Sequence, residues 1–260
     1  MALLEIENLN VSFDGIRALQ GVDLAVEQGQ LFSLVGPNGA GKTTVFNCLG
    51  RIYRQDEGTL RFKGREISGL KPHQVPGIGI GRTFQHSELF DGLTTLENIL
   101  LGRHRHLHTG LFGSLFFAPH VRRAEIEARR AAEDVIELLE LEAVRHHRVG
   151  DLPYGLRKRI DLGRALALQP ELLLLDEPAA GMNAEETEEL AWWIDEIRTG
   201  LGVTVLLVEH DMRLVMDLSD RVCVLDHGQV IAQGRPDEVQ QHPDVIAAYL
   251  GGGEHAAQSR

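Results

Sequence analysis

Eight consecutive residues, Gly36-Pro37-Asn38-Gly39-Ala40-Gly41-Lys42-Thr43, have the spacing G-x-x-x-x-G-K-T. Glycines at these positions let the backbone turn tightly, so several N–H groups can converge on one polyphosphate. Lys42 is placed to reach the β- and γ-phosphates, and the Thr43 hydroxyl to ligate magnesium. The apolar run 31–35 before the loop reads as a buried strand, and the stretch from Thr44 to Leu49 reads as a helix. That helix adds a positive dipole end of roughly half a charge. An ordinary glycine turn does not place lysine and threonine in this way. The loop implies nucleotide binding and is silent on what the energy is used for.

Three further pieces fit the same chemistry. Leu172-Leu173-Leu174-Leu175 reads as a fully buried strand that delivers Asp176 and Glu177 at its carboxyl end, with Pro178 as its stop. Open α/β sheets bind ligands at that end. A carboxylate leaving so apolar a strand is costly without a cation, so Asp176 is a magnesium ligand, direct or through water. Glu177 can polarise a water for in-line attack on the γ-phosphate. A second apolar strand, 204–208, leads into Glu209-His210, and His210 can hydrogen-bond the γ-phosphate or the attacking water. Gln85 ends a third strand, and its amide can contact water and metal together. Each residue has a bland reading as a solvated turn group, but the four pieces share one reaction.

The elements that position them alternate. Residues 3–13 alternate apolar and polar, as in a half-buried strand, and residues 18–26 form the next strand after the Asp14-Gly15 turn. Phe13 at that turn is either a ring stacked on adenine or a core aromatic. Helices are expected over 95–101 with Thr94 or Thr95 as N-cap, 122–141 with Ile126, Val135, Leu138 and Leu139 on one side, 157–167, and 184–198. Residues 122–141, with the loop before them, read as a helical lobe inserted into the α/β body. Between Gly102 and Arg123, His104, His106 and His108 alternate with no Cys, Asp or Glu among them, which favours a basic surface loop over a metal site. The following 111–117 run is too short to cross a membrane and reads as inward-folded or, preferably, as a docking patch. Residues 221–226 and 229–233 form a hairpin.

Composition excludes several classes. A formal net charge of −12 argues against nucleic-acid or anionic-membrane binding. Two distant cysteines in apolar stretches, Cys48 and Cys223, read as buried reduced thiols of a cytoplasmic protein. No signal peptide is recognised, and no apolar run approaches the ~20 residues that span a bilayer. A membrane role therefore goes through a partner.

At these residues the chain resembles the ATP-binding subunits of ABC transporters, from Leu3 to Leu250. The loop 36–43, Gln85, residues 172–178 and His210 stand at that family's Walker A, Q-loop, Walker B and switch histidine. The resemblance implies an α/β fold: a P-loop NTPase (ABC ATPase) core with an N-terminal antiparallel β subdomain and an inserted α-helical subdomain at about 86–168. Residues 1–250 are then one domain, and 251–260 a disordered tail. It implies ATP and Mg2+ as ligands. Phe13, Gly36, Pro37, Asn38, Gly39, Ala40, Gly41, Lys42, Thr43 and Thr44 contact ATP. Thr43, Gln85 and Asp176 hold the metal, and Glu177, His210 and Gln85 are catalytic. In that family two subunits sandwich two ATP molecules, each held by one partner's phosphate loop and the other's signature loop. Leu152-Pro153-Tyr154-Gly155-Leu156 stands in the signature position, just ahead of a helix. It departs from the family's L-S-G-G-Q: Pro153 lacks the serine's hydroxyl and N–H. Ala180-Gly181-Met182-Asn183 stands at the dimer-contact loop, with Asn183 where Asp is usual.

A narrower resemblance is to LivG-type ATPases of branched-chain amino-acid importers. It is carried by Arg82-Thr83-Phe84-Gln85-His86, Thr109-Gly110-Leu111-Phe112, residues 176–183, Glu209-His210-Asp211-Met212 and the ending from His242 to Gly251. Its implied partners are a second ABC ATPase subunit (the same chain or a relative), integral permease subunits and, indirectly, a periplasmic solute-binding protein. The protein would lie on the inner face of the cell membrane. The alternatives are another cargo, such as amide or urea import or lipid export, and a soluble ABC ATPase with no permease. Soluble relatives usually carry two nucleotide domains or a long coiled coil, and neither is present here.

Overall fold

The computed structural model describes the backbone of residues 2–83, 89–103 and 119–255. Gln85 and the loop 104–118, with its histidines and the 111–117 run, lie outside the described residues.

Two sheets carry the chain. The first is antiparallel and built from β1 (Ala2–Phe13), β2 (Ile16–Glu27), β4 (Glu57–Phe62) and β5 (Arg65–Glu66), in the order β2-β1-β4-β5. Its alternating side chains bury Leu4, Ile6, Leu9 and Val11 from β1 against the second sheet's core. The second has six strands in the order β10-β9-β3-β8-β7-β6: β3 (Leu31–Val35), β6 (Ile80–Arg82), β7 (Leu172–Asp176), β8 (Thr204–Val208), β9 (Arg221–Asp226) and β10 (Gln229–Gly234). All its pairings are parallel except β10 with β9. Strands β3, β7 and β8 are buried at every position, which is why they read as unbroken apolar runs.

Register decides where the chemistry lands. Leu34 pairs with Val208, and Val208 with Asp176. The carboxyl ends of β3, β7 and β8 are therefore level, and the segments after them leave the sheet on one edge. Helix α1 (Lys42–Leu49) follows the loop after β3.

The inserted lobe packs α2 (Thr95–Gly102), α3 (Pro119–Leu138) and α4 (Tyr154–Leu166). Thr94 caps α2 through a capping box with Glu97. The buried stripe of α3 is Ala128, Ala132, Val135 and Ile136, continued by Leu139. Ile126, expected on that side, is instead exposed. Its helical phase points it away from the alanines, which let α3 approach its neighbours closely. Helix α5 (Ala184–Leu201) covers β7 and β8 through Leu190, Trp193, Ile194 and Ile197. After β8 come α6 (Met212–Leu218), α7 (Pro236–Gln240) and α8 (Pro243–His255). A third core cluster joins Val35 to Val215, Val239 and Val245, so the C-terminal helices brace the base of the phosphate loop. Helix α8 runs through Gly251-Gly252-Gly253, where a disordered tail is expected from sequence. Three glycines weaken a helix by about 1 kcal/mol each relative to alanine but do not forbid it once the preceding turns are formed. Among the described residues no helix is long and apolar enough to cross a membrane.

Candidate active site

The loop between β3 and α1 is held from below. Gly228 N–H donates to the Ala40 carbonyl at 3.0 Å, and Gln20 N–H donates to the Gly228 carbonyl at 2.8 Å. Two glycines are dictated by this packing. Gly36 has φ 147°, and a Cβ there would collide with the Leu225 carbonyl. Gly41 has φ 105°, and its Cβ would lie 2.7 Å from Leu19 Cδ2. These are the two positions where a side chain would push the loop off its floor. Lys42 is buried and folds back over the crown, its Nζ donating to the carbonyls of Gly36 at 2.7 Å and Pro37 at 3.0 Å. Burial pulls its pKa below the usual lysine value, against the opposing charges of Glu177 and Asp176.

A cavity of about 200 Å³ is lined by Ala18, residues 38–44, Glu177 and His210. The geometry thus joins the phosphate loop, Glu177 and His210, residues up to 172 positions apart in sequence. His210 Nε2 lies 2.6 Å from Glu177 Oε1. Glu177 has φ 48°, and its N–H donates to the Val208 carbonyl at 2.8 Å. A left-handed backbone is unusual for a residue with a Cβ, and it turns the side chain off the strand line into the cavity's edge.

Asp176 is buried, and Arg82 Nη2 meets its Oδ2 at 3.0 Å. The cation that this apolar strand end demands is thus supplied within the chain. Arg82 comes from the end of β6 and also donates to the Phe46 carbonyl at 3.3 Å. Desolvation raises the Asp176 pKa despite Arg82, and the neighbouring Glu177 charge adds to the rise. Arg82 stands in the sequence only as part of a motif; nothing local announces that it pairs with a residue 94 positions on. Thr43 is exposed at the start of α1. A hydroxyl with a carboxylate is a hard-oxygen donor set, the kind magnesium takes alongside phosphate oxygens. The glycine cradle and the Thr43 hydroxyl, which lines the cavity together with the Glu177 carboxylate, fit a magnesium nucleotide, whereas Asp176 is held by Arg82 and does not line that cavity.

Glu209, beside His210, is not singled out by the sequence. It is buried, and its two oxygens accept from Ala179 N–H at 2.8 Å and His210 N–H at 3.0 Å. Burial raises its pKa, opposed by those backbone donors. A charged residue at the end of an all-apolar strand was the available signal.

Phe13 is exposed and packs edge-on against Tyr53, ring centroids 5.0 Å apart, so it is not a core aromatic. The signature segment begins a helix earlier than expected. Pro153 is the N-cap of α4, and Tyr154, Gly155 and Leu156 form its first turn. Proline's fixed φ suits a helix start, and its missing N–H is no loss there. Asn183 caps α5: its side chain accepts from Glu186 N–H at 3.0 Å, and Glu186 returns the bond to Asn183 N–H at 2.9 Å. None of residues 152–156 lines the phosphate-loop cavity.

The family described as ABC transporter matches residues 19–180. The chain belongs to the ABC transporter family of ATP-binding proteins. A second family, described as branched-chain amino acid ATP-binding cassette transporter, matches residues 229–255, which carry β10, α7 and α8. Among curated relatives, the high-affinity branched-chain amino acid transport ATP-binding protein BraF of Pseudomonas aeruginosa is 45% identical, covering 96% of this chain and 98% of that one. LivG of Salmonella typhimurium is 44% identical over the same shares. The ADP conformation of an ATP-binding cassette of an ABC transporter superimposes with a TM-score of 0.85 at 31% identity, covering 96% of this chain and 99% of that one. These likenesses bear out the α/β cassette fold and the LivG-type resemblance.

Proposed function

We propose that this ABC-family chain is the ATP-hydrolysing subunit of an importer for branched-chain amino acids. The observation that carries hydrolysis is the 2.6 Å contact between His210 and Glu177 at the mouth of the phosphate-loop cavity. With Nε2 protonated, His210 donates to the Glu177 carboxylate and orients it toward a water at the cavity mouth. Glu177 then takes that water's proton as it attacks the γ-phosphate. Lys42 leaves the Gly36 and Pro37 carbonyls for the β- and γ-phosphates, and residues 36–44 supply backbone donors. Thr43, Asp176 and Gln85 would hold Mg2+, whose charge, when bound, offsets that on the phosphates. Phe13, exposed at its turn, stacks on adenine.

The dimer follows from what the cavity lacks. The first turn of α4 stands outside its own phosphate-loop cavity, and its N–H groups have no intrahelical partner, so Leu152, Pro153, Tyr154, Gly155 and Leu156 serve a second subunit's ATP. Ala180 to Asn183 lie beside them. A second cavity, about 650 Å³ and lined largely by apolar groups such as Ile52, Val75, Pro76, Leu101 and Leu168, opens between the core and the helical lobe. It supports docking of a permease there, at the inner face of the cell membrane. The cargo is read from the relatives' names and from the C-terminal match. Glu177→Gln keeps every phosphate contact but removes the base. It is expected to bind ATP, to hydrolyse it at least a hundredfold more slowly, within the range for loss of a general base, and to accumulate a dimer on sizing columns. Normal turnover would remove Glu177 from the mechanism. Reconstitution with branched-chain amino-acid permease subunits, comparing leucine with urea uptake, tests the cargo.

A further inference from the structure

The Tyr154 hydroxyl has no part in the hydrolysis just described, yet it is committed to a partner. It donates to the Ala180 carbonyl at 2.9 Å, across 26 residues of sequence. The Tyr154 ring lies so close to Gly181 that a Cβ there would sit 3.3 Å from its Cε1. Lys158 Nζ stands 5.7 Å from the ring centre on the same helix. The loop it grips is the one that leads away from Glu177. That loop is tight: Ala180 N–H donates to the Glu177 carbonyl at 3.1 Å, and Met182 N–H to the Ala179 carbonyl at 3.0 Å. The loop is also held by Glu209, which accepts from Ala179 N–H and from His210 N–H.

Two adjacent residues of one loop are therefore held by two different elements. Ala180 is tied to the first turn of α4, the turn that faces a partner's nucleotide. Ala179 is tied, through one buried carboxylate, to the backbone of His210. We infer that Tyr154 is a positioning residue that couples engagement of the signature turn to the placement of Glu177 and His210 in the same subunit. The inference rests on the dimeric reading above. When α4 docks on a second subunit's ATP, its first turn carries Ala180 with it. The hydrogen bond from Ala180 N–H transmits the shift to the Glu177 carbonyl, and Glu209 passes it to His210. Each subunit's catalytic pair then senses the opposite nucleotide site. A glycine, the residue this position usually has in the family, has no hydroxyl to make the tie.

Tyr154→Phe tests the tie, because it keeps the ring, its packing on Gly181 and the lysine above it. Losing this one neutral hydrogen bond breaks the link to Ala180 and lowers kcat by about fivefold. KM should move less than twofold, and the Hill slope for ATP should fall toward unity, with the melting temperature unchanged. A purely structural role would not separate kcat from KM in this way. Wild-type kcat and Hill slope in the variant would overturn the inference. The wild-type chain gives an independent reading by amide exchange on adding a non-hydrolysable ATP analogue. Residues 154–156 and 179–182 should gain protection together at one analogue concentration; separate transitions overturn the coupling. If instead the wild-type rate per subunit ignores dilution and its Hill slope is already unity, the dimeric reading has failed, and the inference falls with it.

Discussion

Replacing Arg82 with methionine isolates the electrostatics of the Walker B strand. Arg82 is the cation beside Asp176, whose side chain is 4% exposed. Methionine keeps much of the arginine stem and deletes the charge, leaving a carboxylate in an apolar pocket. Loss of one partner from a buried pair costs about 3–5 kcal/mol. The carboxyl can escape that cost by taking a proton, which sets a ceiling. From an unfolded pKa of about 3.9, holding it neutral costs about 4 kcal/mol at pH 7 and about 1.5 kcal/mol at pH 5. The sign is fixed by linkage. Burial already raises the folded pKa of Asp176 above its unfolded value. Between the two pKa values the native state binds more protons, so stability falls as pH rises through that window. Removing Arg82 moves the upper edge of the window higher. Urea unfolding of Arg82→Met should therefore show a loss at pH 7 that shrinks by roughly half or more at pH 5. The double variant Arg82→Met/Asp176→Leu should regain most of it, because an apolar pair of similar shape leaves no charge stranded. Equal losses at both pH values, or a double variant no better than the single, would refute the reasoning.

Other outcomes follow from single contacts. Pro153→Ser restores a hydroxyl and an N–H at the N-cap of α4, and ATP-driven dimerisation should tighten; an unchanged dimer fraction and ATPase rate in light scattering and phosphate release count against the signature role. Asn183→Ala removes the capping box of α5 and should cost about 1 kcal/mol in thermal unfolding. A loss below a few tenths would show that solvent replaces the cap.

What sequence made visible was local. The strand–glycine loop–helix around Lys42 and the leucine run into Asp176 are contiguous patterns, and each has one physical reading. The pairing of Arg82 with Asp176 was not visible, because it depends on β6 lying beside β7 and on the register Arg82 with Leu174. Tyr154's grip on Ala180 was hidden for a related reason. The sequence places the helix at 157–167, whereas Pro153 is its N-cap and Tyr154 its first residue, from which the hydroxyl reaches Ala180. Glu209 was overshadowed by the histidine after it. At the C-terminal glycines the helix continues to His255, three weak helix formers being carried by the turns before them. Buried thiols were legible from their apolar neighbours: burial pushes Cys48 up to about 11 and Cys223 up to about 12.

The floor beneath the phosphate loop has a consequence for synthesis on the ribosome. Strand β3 sits between β8 and β9, and the loop after it rests on Gly228. Both flanking strands and that glycine are made some 160 residues or more after the loop itself has been translated. A nascent chain halted before residue 228 would display the glycine motif without the neighbours that shape it. Nucleotide capture should thus appear late and abruptly along the growing polypeptide, a timing that arrested chains of graded length would reveal.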